Sequence, residues 1–95
     1  MATQKIERTY PGKTSQEIFE RTRASIEDIA SRYSLAHTPD PAKLSGKVAR
    51  TGAEGRYRVE GERLTLELEF GFLVPGAIRK RVETEVAGRL DKLFG

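Results

Sequence analysis

The sequence predicts a single α+β domain, an antiparallel β-meander with two helices packed on one face, in the order β-α-β-β-β-α. Three observations predict it. Leu64, Leu66, Leu68, Phe70 and Phe72 alternate with Thr65, Glu67, Glu69 and Gly71, the period of two of a half-buried strand. After a Pro-Gly corner, Ile78, Val82, Val86, Leu90 and Leu93 recur every three or four residues, the stripe of an amphipathic helix that reads on to Phe94. A second such stripe, Ile18, Thr22, Ile26, Ile29 and Tyr33, lies upstream with Phe19 and Ala30 beside it. Ninety-five residues leave room for one core, so residues 1–95 are read as one domain.

Lys5 to Tyr10 reads as a short strand with Ile6, Arg8 and Tyr10 on one side. Only Ile6 and Tyr10 suit a core, which predicts a sheet edge. Pro11-Gly12 ends it, because proline lacks the ladder N–H and glycine permits the turn. Thr14-Ser15-Gln16-Glu17 is a capping-box sequence opening a helix to about Tyr33. Glu17–Arg21, Arg23–Glu27 and Asp28–Arg32 have the i,i+4 spacing of a solvated helix face.

Leu35 to Thr38 leaves room for an extra short strand over 35–38, and Thr38-Pro39-Asp40-Pro41 reads as a turn. From Lys43 to Phe72 the chain reads as a meander, with Gly52-Ala53-Glu54-Gly55 and Gly61-Glu62 as its turns. A two-residue turn at Gly61-Glu62 sets Tyr57 opposite Leu66, Val59 opposite Leu64 and Arg56 opposite Glu67. The first turn is expected to set Val48 opposite Val59. Every large apolar residue then shares one face, and a one-residue slip would scatter them. The final helix is expected to start near Pro75, a residue suited to a first helical turn, with no side chain to cap it.

Composition excludes several kinds of chemistry. Without cysteine there is no disulfide, thiol nucleophile or thiolate metal site. The formal charge of +3 and a pI near 9.4 invite a nucleic-acid reading, yet the 17 basic and 14 acidic residues are interspersed. The start, Met1 to Lys5, has no apolar run behind it, and the longest mostly apolar run, Phe70 to Ile78, is short of the roughly 20 residues of a spanning helix. A soluble cytoplasmic protein is expected. His37, the only histidine, has no second histidine or cysteine to join it and reads as an ordinary surface residue. Glu67 and Glu69 read as half of a cross-strand ion-pair surface with Arg56 and Arg58. The Walker pattern, the dinucleotide fingerprint and a serine-nucleophile elbow are all absent. Neither an enzyme nor a cofactor is expected.

One stretch resists a purely structural reading. Phe70-Gly71-Phe72-Leu73-Val74-Pro75-Gly76-Ala77-Ile78 is apolar on both sides of its alternation. Phe70, Phe72, Leu73, Val74 and Ile78 therefore form a candidate apolar contact surface at the strand-to-helix corner. Arg56, Arg58, Arg79, Lys80 and Arg81 form a candidate basic surface.

The run Arg50-Thr51-Gly52-Ala53-Glu54-Gly55 then Arg56 to Glu60, Leu64 to Gly71, Phe72-Leu73-Val74-Pro75, Ile78, Val82-Glu83 and the close Arg89 to Phe94 resembles the polyhydroxyalkanoic acid system family. These are small bacterial proteins whose genes tend to lie near those for polyhydroxyalkanoate synthesis. The likeness covers roughly Ile6 to Phe94 and is strongest from Arg50 onward. The matching residues are turn glycines and core positions, and the two prolines between Thr38 and Leu44 depart from the pattern. The resemblance implies a non-enzymatic accessory protein that associates with the polymer granule or the synthesis proteins. The competing expectations are a nucleic-acid-binding module built on the basic surface, and a structural homo-oligomer joined through a sheet face or edge.

Overall fold

A computed structural model describes residues 2–71 and 74–95. Its elements run β1 (Ala2–Thr9), α1 (Ser15–Tyr33), β2 (Ala36–Asp40), β3 (Ser45–Arg50), β4 (Ala53–Glu60), β5 (Arg63–Phe70) and α2 (Gly76–Asp91), with a 3-10 turn at Pro41–Lys43. The five strands form one antiparallel sheet in the order β1-β5-β4-β3-β2. Both helices contribute to the single core on the apolar face of that sheet, the α+β arrangement that the two stripes and one alternating strand predict.

The register of β4 and β5 follows the side-chain alternation. Tyr57 pairs with Leu66, Val59 with Leu64 and Arg56 with Glu67 across the two-residue turn at Gly61-Glu62, where Gly61 takes a φ of +61°. The β3–β4 register differs from expectation. Its turn is Thr51-Gly52, so Ala53, Glu54 and Gly55 belong to β4 and Val48 lies opposite Gly55 instead of Val59. The difference is four residues, an even slip that leaves Val48 on the core face, so face alternation alone could not detect it. A short side chain is required opposite Val48. A Cβ on Gly55 would come within 2.9 Å of Val48 Cγ2 and 3.2 Å of Leu68 Cδ2.

The Pro-rich segment is also corrected. Thr38, Pro39 and Asp40 are not a turn but the last residues of β2, and the turn falls at Pro41–Lys43. Pro39 is tolerated because β2 is an edge strand, where a missing ladder N–H leaves no partner unsatisfied. The opposite edge is β1, as its sparse apolar content predicts.

Helix α1 begins on the expected capping box. The Thr14 hydroxyl accepts from the Glu17 amide at 3.1 Å, and the Glu17 carboxylate accepts from the Thr14 amide. Those bonds to Thr14 hold the Glu17 carboxyl below its ordinary range. Ile18, Phe19, Thr22, Ile26, Ile29 and Ala30 are buried beneath the helix. Thr22 is fully buried, and its hydroxyl oxygen has no hydrogen-bond partner among the described residues. Of the expected helix pairs, Asp28–Arg32 forms at 4.0 Å, whereas Arg23 turns to Glu20 at 3.0 Å and Glu27 reaches His37.

Helix α2 is buried unevenly. Val86, Leu90 and, just past its end, Leu93 are in the core, while Val82 is half-buried and Ile78 is 49% exposed. Contacts concentrate on its second half. Tyr33 donates to Glu85 at 2.6 Å, Arg89 reaches Asp28 at 2.6 Å, and Arg8 reaches Asp91 at 2.6 Å. Tyr10 donates to the Leu90 carbonyl at 2.6 Å and meets the Phe94 ring edge-on. Before Glu85 the helix makes no comparable side-chain bond to α1 or the sheet among the described residues, and Pro75 caps it without a side-chain bond.

Candidate functional site

The uneven seating of α2 opens a groove. Its floor is the end of the sheet's apolar face, Val48, Gly55, Leu68 and Phe70, and its roof is Ile78 and Val82 of α2. Tyr33 and Leu35 close one wall, and Val74 and Pro75 another. The groove's volume is about 270 Å³, with Arg50, Thr51 and Glu54 as polar residues bordering it. Local sequence explains the opening. The helix start has no anchoring cap, and the space over Gly55 is taken by the Val48 and Leu68 side chains, which form the floor.

The candidate contact residues divide around this groove. Phe70 is buried in its floor, Val74 is half-buried at its end, and Ile78 stands exposed at its rim. Phe72 and Leu73 lie outside the described residues. Sequence reasoning placed a corner here but missed Val48, Leu68 and Val82 as members of the same surface. The helical stripe names Val82, but the spacing between stripe and sheet is not written in either element alone.

The basic residues are not brought together. Arg56 and Arg58 lie on the outer, polar face of the sheet, paired with Glu54 at 3.2 Å and Glu60 at 2.8 Å. Arg79, Lys80 and Arg81 are on α2, which packs against the opposite face. Lys47 adds a cross-strand pair to Glu54 at 3.2 Å, and these two bonds hold the Glu54 carboxyl below its ordinary range. The outer face thus mixes signs residue by residue, but the expected cross-strand pairs to Glu67 and Glu69 do not form among the described residues, because Arg56 and Arg58 turn to Glu54 and Glu60 on their own strand.

His37 is not an ordinary surface residue. Its side chain is 3% exposed, with Nδ1 directed at the Glu27 carboxylate and Nε2 at 2.7 Å from the Tyr57 hydroxyl. A carboxylate can only accept, so Nδ1–H donates to Glu27. Tyr57 reaches His37 from two strands away because Gly46 lies between them on β3; a Cβ there would overlap the Tyr57 ring. Burial pushes the Tyr57 hydroxyl up to about 12, with Arg23 opposing and Glu27 reinforcing the shift. This chain of bonds ties edge strand β2 to α1 and to the sheet centre. A sequence signal existed in Gly46, a glycine within a strand, which marks a close approach by another group.

Among the described residues there is no cluster of three or more histidine, cysteine or acidic side chains able to hold a metal, and no helix long and apolar enough to cross a membrane.

Comparison with known proteins gives a fold neighbour and a family. A crystal structure of a TBP-like protein from Parabacteroides distasonis superposes with a TM-score of 0.61 at 13% identity, covering 70% of this chain and 53% of that one. This chain matches about half the length of that protein, and the likeness shows the fold alone. No curated protein sequence matches the chain. The family model described as "Putative polyhydroxyalkanoic acid system protein" matches residues 5–94, nearly the whole length. The strand, helix, meander and terminal helix above are thus those of a known family, and the chain belongs to the polyhydroxyalkanoic acid system proteins.

Proposed function

We propose that this protein is a non-enzymatic accessory of the polyhydroxyalkanoate storage system that seats on the polymer granule through the mouth of its apolar groove. The observation that carries this reading is the exposed Ile78 at the rim of an open, apolar-lined groove. A polyester surface is apolar and flexible, and a helix lip with a hydrophobic floor behind it suits such a surface. Covering a side chain the size of Ile78 contributes about 1.5–3 kcal/mol when it goes from fully exposed to fully buried. The mixed-charge outer face of the sheet points away from this contact and keeps the bound protein wetted. The protein acts by adsorption or by docking a synthesis protein at the same place, in the cytoplasm where granules form.

The test is fractionation of cells accumulating polymer. The wild-type protein should stay on isolated granules through a high-salt wash, because apolar contact is not screened by ions. Ile78→Asp and Val74→Asp should be released into the soluble fraction while keeping the wild-type circular dichroism spectrum. A wild-type protein found wholly in the soluble fraction, or folded variants that remain on granules, would sink the proposal.

A further inference from the structure

We infer that the groove is a binding site for one medium-chain alkanoate, its hydrocarbon chain against Val48, Leu68, Phe70 and Val82 and its carboxylate at Arg50. This rests on the reading that the groove is the protein's working surface, and it names what enters.

Size gives the chain length. The groove's volume of about 270 Å³ is near the roughly 300 Å³ at the lower end of small-ligand sites. At roughly 30 Å³ per water-sized group, that volume takes about nine carbon-sized groups. A four-carbon acid would leave half of it unfilled.

Charge gives the head group. Arg50 is the one cation among the described residues that line the groove. Its Nη1 donates to the Tyr33 carbonyl at 2.8 Å, which steadies the guanidinium beside the end of α1. Arg32, Arg56, Arg58 and Arg89 each meet a carboxylate, but none pairs with Arg50 among the described residues. The groove's one acid, Glu54, is engaged by Lys47 and Arg56. An apolar slot with one fixed cation at its border and its acid already neutralised is complementary to an anion with an aliphatic body.

The experiment is titration of the whole purified protein with octanoate, butanoate and 1-octanol, followed by calorimetry and by methyl resonances of Val48, Ile78 and Val82. Octanoate should shift those resonances and bind about 200-fold more tightly than butanoate, the value expected for burying four more methylenes. Arg50→Gln should weaken octanoate about tenfold and leave 1-octanol unchanged, since only the acid uses the guanidinium. Val82→Phe, which fills the groove, should abolish both. Equal affinity for octanoate and butanoate, shifts confined to other residues, or an Arg50→Gln protein that binds octanoate like wild type would each overturn the inference. Failure here separates from failure of the granule reading. Retention on granules without octanoate binding removes the ligand and leaves adsorption; octanoate binding without granule retention removes adsorption and leaves the ligand.

Discussion

The two halves of α2 carry the same apolar stripe and meet different fates. From Glu85 onward the helix is clamped by Tyr33, Asp28 and Tyr10, and its apolar residues reach the core. Before Glu85 the stripe continues through Val82 and Ile78, but the helix stands off the sheet and a groove remains. An apolar stripe therefore states which side of a helix faces the sheet. It does not state how far the helix descends, which depends on what the facing strands present. The first half faces the groove floor of Val48, Gly55, Leu68 and Phe70 without a side-chain bond to hold it down.

This contrast can be broken by mutation, and the largest effect should fall in the clamped half. Leu90→Ala should cost about 3–4 kcal/mol in chemical denaturation, since the side chain is 1% exposed and its loss leaves a cavity. A cost below 1 kcal/mol would mean that α2 packs loosely along its whole length. Gly46→Ala should follow at about 3 kcal/mol, because the added methyl meets the Tyr57 ring and would break its reach to His37. A neutral Gly46→Ala would show that the ring can move aside and that the link from β2 to the centre is soft.

Alkali gives the next effect. The folded Tyr57 hydroxyl titrates at about 12 against an ordinary value of 10.0, so its neutral form is favoured in the fold. Its contribution is fully present below pH 10 and is lost as pH rises toward 12, a fall of about 2–3 kcal/mol at 1.36 kcal/mol per pH unit. Melting curves recorded between pH 9 and 12 should show a shallower decline for Tyr57→Phe than for wild type. Tyr10, also pushed up to about 12 by burial, supplies the decline that persists.

Two smaller effects sharpen the comparison. Thr22→Val should raise stability by about 1 kcal/mol, since the hydroxyl is fully buried without a hydrogen-bond partner among the described residues. Ile78→Ser should change stability by less than about 0.5 kcal/mol, because half of the side chain is already in water. A large loss in Ile78→Ser would place that residue in the core and close the groove in solution.

The fold was legible where local patterns are self-consistent. The capping box at Thr14 and Glu17 fixed where α1 starts, and the Gly61-Glu62 turn with its flanking alternation fixed the β4–β5 register. The β3–β4 register was not legible, because pairing Val48 with Gly55 or with Val59 leaves the same residues facing inward. Nor could His37 be placed. Its partners, Glu27 and Tyr57, are 10 and 20 residues away on two other elements. The groove was half visible, since Ile78 and Val74 stood out as apolar residues at a corner while Arg50 read only as one residue of a matching run.

The sequence by itself determined the two helices, the hairpin across Gly61-Glu62, the face each element buries and the family, because each is written in the spacing of neighbours along one stretch of chain. The distance between α2 and the sheet, and with it the groove and the setting of Arg50, was decided only in the tertiary structure. That distance is the joint outcome of side chains on β3, β4, β5, α1 and α2, and no single stretch encodes it.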